Sequence, residues 1–267
     1  MSDLLDHALD AARAGGRAVL GFYKQPLPHD VKADESPLTQ ADLAAHRAIL
    51  DRLAAATPDI PVLSEESDPG DVSARSSWRR FWCVDPLDGT KEFIKATTGE
   101  FTVNIALVED GEPVVGVVHV PVQDVTYSAA DGRAWKQTGA ADAVRIATRA
   151  VPDRQLVVVA SRDHAGPEVA AFIARAEAAG RQVESASMGS SLKFCLVAEG
   201  AADVYPRTVP TFEWDTAAAQ AVVEAAGGGV STRDGRRLAY NKDDLRNPSV
   251  FAWGDGALDW QGWLDPA

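Results

Sequence analysis

A chain of 267 residues with 46% hydrophobic content can bury one large core or two modest ones, and its ordinary proportions exclude collagen-like and disordered classes. A net charge of −13 excludes a nucleic acid polymer as partner, because neutralising successive backbone phosphates needs a basic surface. A small phosphorylated molecule stays admissible, provided that metal ions reverse the sign locally.

The opening segment, MSDLLDHALDAARAGGRAVLGFYK, alternates charges with small apolar residues, and no basic stretch precedes an apolar core. No apolar run reaches 18 residues, so the expectation is a soluble, unexported, cytoplasmic protein without integral membrane association. Peripheral contact with the inner membrane is left open. Helical spacing runs through Leu4, Leu5, Ala8, Leu9, Ala12, Val19 and Leu20, and again through Leu38, Leu43, Ile49, Leu50 and Leu53. Two helices follow, separated by the Pro/Asp loop KQPLPHDVKADESP.

The runs IPVLSEES and FWCVDPLDGT read as strands feeding loops that carry carboxylates. From Phe101 to Trp135, three or four β-rich runs are joined by turn signals such as Asp131-Gly132, the pattern of an antiparallel meander. Residues 1–150 should therefore be helices on an antiparallel sheet. After about residue 150 the rhythm becomes strand QLVVVASR, helix PEVAAFIARAEAAG, strand QVESAS, helix SSLKFCLVAEG, strand ADVYP and helix WDTAAAQAVVEAAGG, which predicts an α/β lobe over 151–267. With no linker between the halves, the site is expected in the cleft they share.

Chemistry concentrates in VDPLDGTKEF. Pro86 fixes one φ angle and Gly89 permits a tight turn, so Asp85 and Asp88 can be aimed at one point. Thr90 and Lys91 can open a helical turn whose free amides hold an anion. Asp, Pro and Gly are also each favoured in turns for independent reasons, so this segment alone does not decide. Glu65 and Glu66 end the VLSEES run, and Asp215 follows Trp214 at the start of an Ala-rich helix, where a first-turn acid is also favoured without a metal. Carboxylates this dense repel one another, and without a His or Cys cluster they fit Mg2+ or Mn2+ better than zinc. Cys83 and Cys195 lie in apolar runs and read as reduced core residues.

VLSEES, WCVDPLDGTKEFI and EWDTAAAQAVVEAAGG resemble the three signature regions of the inositol monophosphatase superfamily of Mg2+-dependent, Li+-sensitive phosphatases. DPLDGTKEFI, GEFTVNIALVEDGEPVVGVVHVP, GSSLKFCLVAEG and YPRTVPTFEWDTAAAQAVV are more narrowly similar to the bacterial 3'(2'),5'-bisphosphate nucleotidases of the CysQ type, in the same order from about residue 5 to residue 255. The resemblance implies an α+β or α/β fold, a layered αβαβα sandwich of the inositol monophosphatase and fructose-1,6-bisphosphatase type.

It also implies a set of roles. Glu65, Asp85 and the Leu87 carbonyl would hold a first Mg2+, and Asp85, Asp88 and Asp215 a second, with two or three ions per site and Mn2+ as a substitute. Asp42, Thr90 and Glu65 would orient and deprotonate the attacking water, with Glu66 behind them. Asp88, Gly89, Thr90 and Asp215 would meet the substrate's phosphate, and Ser161, His164, Gly189, Ser190 and Lys193 the nucleotide and its second phosphate. Arg207 is a weaker candidate for that charge role. The activity implied is hydrolysis of adenosine 3',5'-bisphosphate to AMP and phosphate in sulphate assimilation, by metal-activated water without a covalent intermediate. The alternatives are a sugar phosphatase acting on inositol monophosphate or fructose 1,6-bisphosphate, and a non-catalytic phosphate-binding regulator. Both monomer and homodimer are open. The scattered His7, His29, His46 and His119 are assigned no chemistry, and Trp78, Trp82, Trp135, Trp253 and Trp260 are expected to pack, while Trp214 is expected to brace the Asp215 turn.

Overall fold

The computed structural model describes residues 3–25, 29–31, 37–161 and 166–264. In chain order the elements are α1 (Asp3–Leu20), β1 (His29–Val31), β2 (Pro37–Thr39), α2 (Gln40–Ala56), β3 (Val62–Ser64), β4 (Arg80–Asp88), α3 (Thr90–Lys95), β5 (Thr102–Glu109), β6 (Glu112–Val120), β7 (Val125–Ala130), β8 (Arg133–Thr138) and β9 (Val144–Ile146). The chain continues through β10 (Gln155–Ser161), α4 (Pro167–Ala178), β11 (Gln182–Met188), α5 (Leu192–Ala198), β12 (Val204–Arg207), β13 (Thr211–Phe212), α6 (Glu213–Ala225), β14 (Gly229–Thr232), β15 (Arg246–Asn247) and β16 (Val250–Trp253).

Strands β3 to β9 lie side by side in sequence order as a seven-stranded sheet, antiparallel except for the parallel β3/β4 pair. The order β11-β10-β12-β16-β14 forms a second, mixed sheet: β10 runs parallel to β11 and β12, and β16 antiparallel to β12 and β14. Five layers result, with α1 and α2 on the outer face of the first sheet, α5 and α6 between the sheets, and α4 outside the second. This is the αβαβα sandwich that the resemblance implies.

Period-two alternation along β4 serves both faces at once, because each is covered. Trp82 and Val84 pack with Leu5, Ala8, Ala12 and Ile49 of α1 and α2, while Phe81 and Cys83 face Ala217, Ala218 and Val222 of α6. Cys83 and Cys195 are both free and buried. The alanine-rich inner face of α6 has a physical reason: the helix backbone nearly touches the first sheet. A Cβ added to Gly116 on β6 would lie 2.3 Å from the Ala218 carbonyl oxygen and 2.7 Å from the Ala221 Cβ. No helix among the described residues is long and apolar enough to cross a membrane.

Gly116 thus sets how close α6 comes to the sheet that carries Asp85. Gly116→Ala is expected to destabilise the fold by roughly 2–3 kcal/mol in chemical denaturation, through overpacking that a helix backbone cannot relieve. A loss under about 0.5 kcal/mol would show that the two layers have slack.

Candidate functional site

The acids of VDPLDGT leave the regular strand by a bulge. Asp85 pairs with Asn104 on β5, but Asp88 pairs with Thr102, so three steps on β4 oppose two on β5. In an unbroken strand residues three apart point to opposite faces; the extra residue, in a stretch where Pro86 has no N–H to give, turns both carboxylates to the same side. Gly89 then adopts φ 89°, a left-handed conformation suited to glycine, and α3 starts at Thr90.

Asp215 arrives from another part of the chain, in the first turn of α6, where its Oδ2 accepts the Phe212 N–H at 2.7 Å. It is a helix-capping acid and a cavity acid at once. Asp85, Asp88 and Asp215 each offer a carboxylate oxygen within 4.8 Å of the other two. Glu65, tied beside β4 by its N–H to the Val84 carbonyl at 3.1 Å, lines the same cavity, which has a volume of about 420 Å3. Leu87, Gly89, Thr90, Ser190 and Lys193 also line it.

Each acid is held from behind. Asp85 Oδ1 accepts the Leu87 N–H at 2.9 Å, while its Oδ2, equally buried, has no hydrogen-bond partner. Asp88 Oδ2 takes the Ser191 N–H at 2.5 Å and the Ser191 hydroxyl at 2.6 Å, with the Thr102 hydroxyl at 3.4 Å. The Asn104 amide steadies the Ser191 oxygen at 3.0 Å, and the same serine lies 2.7 Å from the Asp215 carbonyl oxygen. Ser191 and Asn104 escape a reading based on acids alone; the signal for them was a lone asparagine inside the apolar run FTVNIALV and a serine ahead of a helix.

Asp42 is buried at the start of α2, where its Oδ2 accepts from the Thr39 N–H at 2.8 Å and the Thr39 hydroxyl at 2.5 Å. That capping box fixes its Oδ1, which receives the Thr90 hydroxyl at 3.4 Å; the same hydroxyl is 3.2 Å from the Leu87 carbonyl oxygen. His46, to which the sequence assigned no chemistry, shares a 2.9 Å hydrogen bond with the Ser64 hydroxyl and so steadies the turn that carries Glu65. Glu66 stands outside the cavity lining, with its N–H on the Ser64 hydroxyl at 3.4 Å.

Lys193, which lines the same cavity, is 5% exposed, in contact with the Tyr205 ring face and 3.3 Å from the Met188 carbonyl oxygen, so it is not a solvated helix-face residue. Burial pushes its ammonium down to about 8, opposed chiefly by Asp88. Arg207 shares this lining, and its buried Nε lacks a partner. Phe212 and Trp214 stack at 5.0 Å and 10° beside them, which sequence reasoning did not foresee for Phe212. Gly189 lies behind the lining with its N–H on Glu100 Oε2 at 2.8 Å. Ser161 closes β10, but its side chain and the whole of His164 lie outside the described residues.

The electrostatics are those of an overcrowded anionic cluster. Burial, then the charges of Glu65, Asp88 and Asp215, push the Asp85 carboxyl well above its ordinary range. Burial, then Asp88 and Glu65, push Asp215 up to about 8. A buried oxygen with no donor, in a set made only of oxygens, fits a divalent cation of the hard, oxygen-preferring kind.

Comparison with known proteins agrees with this architecture. The sequence profile of the inositol monophosphatase family matches residues 1–258. The 3'(2'),5'-bisphosphate nucleotidase CysQ of Escherichia coli K12 is 49% identical over 248 residues, spanning 92% of this chain and 97% of that protein. Its counterpart in Salmonella typhimurium is 47% identical over the same shares. Among solved structures, CysQ from Bacteroides thetaiotaomicron superposes with a TM-score of 0.81 at 43% identity, covering 94% of this chain and 97% of that one. An inositol monophosphatase from Zymomonas mobilis superposes with a TM-score of 0.77 at 27% identity, covering 99% and 98%. With most of its length matched in sequence and in fold, the chain belongs to the inositol monophosphatase family of phosphatases.

Proposed function

We propose that the protein is a Mg2+-dependent 3'(2'),5'-bisphosphate nucleotidase that converts adenosine 3',5'-bisphosphate to AMP and phosphate. The observation that carries this reading is one cavity lined both by the acids Asp85, Asp88, Asp215 and Glu65 and by the basic side chains Lys193 and Arg207. The acids can hold cations for the phosphate that is cleaved, and the two basic side chains can meet a phosphate that is not, which a monophosphate would leave unused. The stacked Phe212 and Trp214 offer a planar apolar face suited to a base. The names of the E. coli and S. typhimurium relatives agree with this substrate class.

Glu65, Asp85, the Leu87 carbonyl, Asp88 and Asp215 would hold the ions; when bound, divalent cations lower the pKa of water and neutralise the phosphate and the leaving oxygen. The chain's own part is to place and move protons. Thr90 Oγ1, by giving its proton toward Asp42 Oδ1, turns a lone pair to the cavity and can accept a proton from the attacking water. Asp42 cannot swing away because both Thr39 donors hold its other oxygen. Gly89, Thr90 and Ser190 line the cavity; amides near the first two would meet the equatorial phosphate oxygens, and Ser190 the nucleotide side. No side chain is needed as nucleophile. The setting is expected to be cytoplasmic and the role clearance of a sulphate-assimilation by-product.

The deciding experiment is phosphate release with Mg2+ from adenosine 3',5'-bisphosphate, inositol monophosphate and fructose 1,6-bisphosphate. The bisphosphate nucleotide is expected to give the highest kcat/KM, with Li+ inhibiting; a preference for inositol monophosphate would replace the nucleotidase reading by the sugar phosphatase one. Asp88→Asn should remove at least about 100-fold of kcat/KM in a folded protein, since it takes away a charge that the cations need.

Lys193→Ala should raise KM for the bisphosphate about tenfold or more while changing that for AMP-sized monophosphates little. Equal changes on both would take Lys193 out of substrate recognition.

The cation site also dictates a pH dependence. Burial, with the charges of Asp88 and Glu65, pushes Asp215 from 3.8 up to about 8 in the folded chain, so between these values the folded state holds a proton that the unfolded chain releases. The cation-free protein therefore loses stability as pH rises from about 4 to about 8, and divalent cations relieve that loss. Scanning calorimetry should find a larger Mg2+-induced rise in Tm at about pH 8 than at about pH 5. Equal rises would mean that the cations bind elsewhere.

A further inference from the structure

Glu213 opens α6 two residues before Asp215, and its side chain is fully buried. Its Oε2 accepts the Asn241 N–H at 2.7 Å; its Oε1 accepts the Lys242 N–H at 2.9 Å and the Lys242 ammonium at 2.7 Å. A buried carboxylate is tolerated only when paired and hydrogen-bonded, so this one has a single place to sit once residues 241–242 are in position.

The loop it grips reaches both segments that carry the clustered acids. On the α6 side, the Glu213 N–H donates to the Leu245 carbonyl at 3.0 Å, and Asn247 donates through Nδ2 to the Phe212 carbonyl at 2.7 Å and the Thr216 hydroxyl at 3.0 Å. The Lys242 ammonium closes the ring by donating to Asn247 Oδ1 at 3.1 Å. Phe212 is the junction, since its own N–H goes to Asp215 Oδ2. On the β4 side, Asn241 donates through Nδ2 to the Arg75 carbonyl at 2.9 Å and the Trp78 carbonyl at 3.1 Å. The Arg75 guanidinium answers with bonds of 2.6 Å to the carbonyls of Lys242 and Asp243. Trp78 stands two residues before the strand that ends in Asp85 and Asp88.

We propose that Glu213 is a positioning residue for the cation site: through residues 241–247 it locks the start of α6 to the approach of β4, and so holds Asp215 at its distance from Asp85 and Asp88. The proposal rests on reading those acids as a divalent cation site. Both Glu213 carboxylate oxygens are taken by residues 241–242, and the residue is not part of the cavity lining, so its role is to position and not to ligate.

The test is Mn2+ binding to the full chain, followed by the electron paramagnetic resonance signal of free Mn2+. Glu213→Gln keeps the volume but turns an amide N–H2 toward donors, and the Mn2+ Kd is expected to rise about tenfold. The Mg2+ concentration for half-maximal activity should rise with it, while kcat at saturating Mg2+ changes less. Glu224→Gln serves as comparison, because Glu224 lies at the far end of the same helix and accepts from Gln220 and Arg237; it should lower Tm and leave the Mn2+ Kd unchanged. If Glu213→Gln does not fold, Lys242→Met removes one of the three donors and should raise the Kd about threefold or more. A folded Glu213→Gln or Lys242→Met protein whose Kd stays within about twofold of wild type overturns the proposal, as does equal weakening by Glu224→Gln. Wild-type protein that binds no Mn2+ would overturn the cation-site reading and this proposal with it.

Discussion

Like charges in close quarters are the constraint that organises this molecule. A chain free to choose would not bring Asp85, Asp88 and Asp215 within 4.8 Å of one another behind a protein wall. The fold enforces it with a bulge that turns two strand acids to one side, a serine that clamps Asp88, and a helix wedged between two sheets that presents Asp215. Asp203 makes the contrast plain. It is buried as deeply, but Arg149 meets both of its oxygens at 2.8 and 3.0 Å and the Val157 N–H adds a bond of 2.6 Å. Where an acid serves only to hold the structure, the chain supplies donors; at Asp85 it leaves an oxygen bare.

The basic side chains of the cavity lining solve the complementary problem. In a chain of net charge −13, an anion meets repulsion at most of the surface. Lys193 and Arg207 line the cavity, and burial lowers the Lys193 ammonium to about 8, opposed first by Asp88. A cation kept dry interacts more strongly with an incoming phosphate than one surrounded by water. The cavity therefore joins a cluster of carboxylates to two basic side chains in one lining.

Much of this was legible because the chemistry uses residues that also punctuate the chain. Pro86 and Gly89 mark the turn, and Asp215 marks the start of a helix whose alanines announce close packing. Strand and helix periods give helices on an antiparallel sheet followed by an α/β lobe, and the five-layer arrangement comes from the family resemblance. What the sequence hid was tertiary. A three-residue spacing between Asp85 and Asp88 says opposite faces in a strand, and only the pairing with Asn104 and Thr102 reveals the bulge. The strands β14 and β16 are four residues each; β16 adds to the edge of β12 and β14 to the edge of β16, so pairing and not their own pattern defines them. Ser191 reads as an ordinary helix start until Asp88, 103 positions earlier, is placed against it. The same holds for Glu213, whose partners lie beyond a strand and a loop.

The close seat of α6 on Gly116 has one more consequence. With backbone against backbone at Ala218, α6 has little room to draw back, so under the proposed cation-site reading the ion-free cluster would relieve its repulsion mainly by taking up hydrogen ions. Loading the proposed site would then expel them. The heat of cation uptake would thus vary with the ionisation enthalpy of the buffer, and an unbuffered solution of the protein would turn more acid as the metal is added.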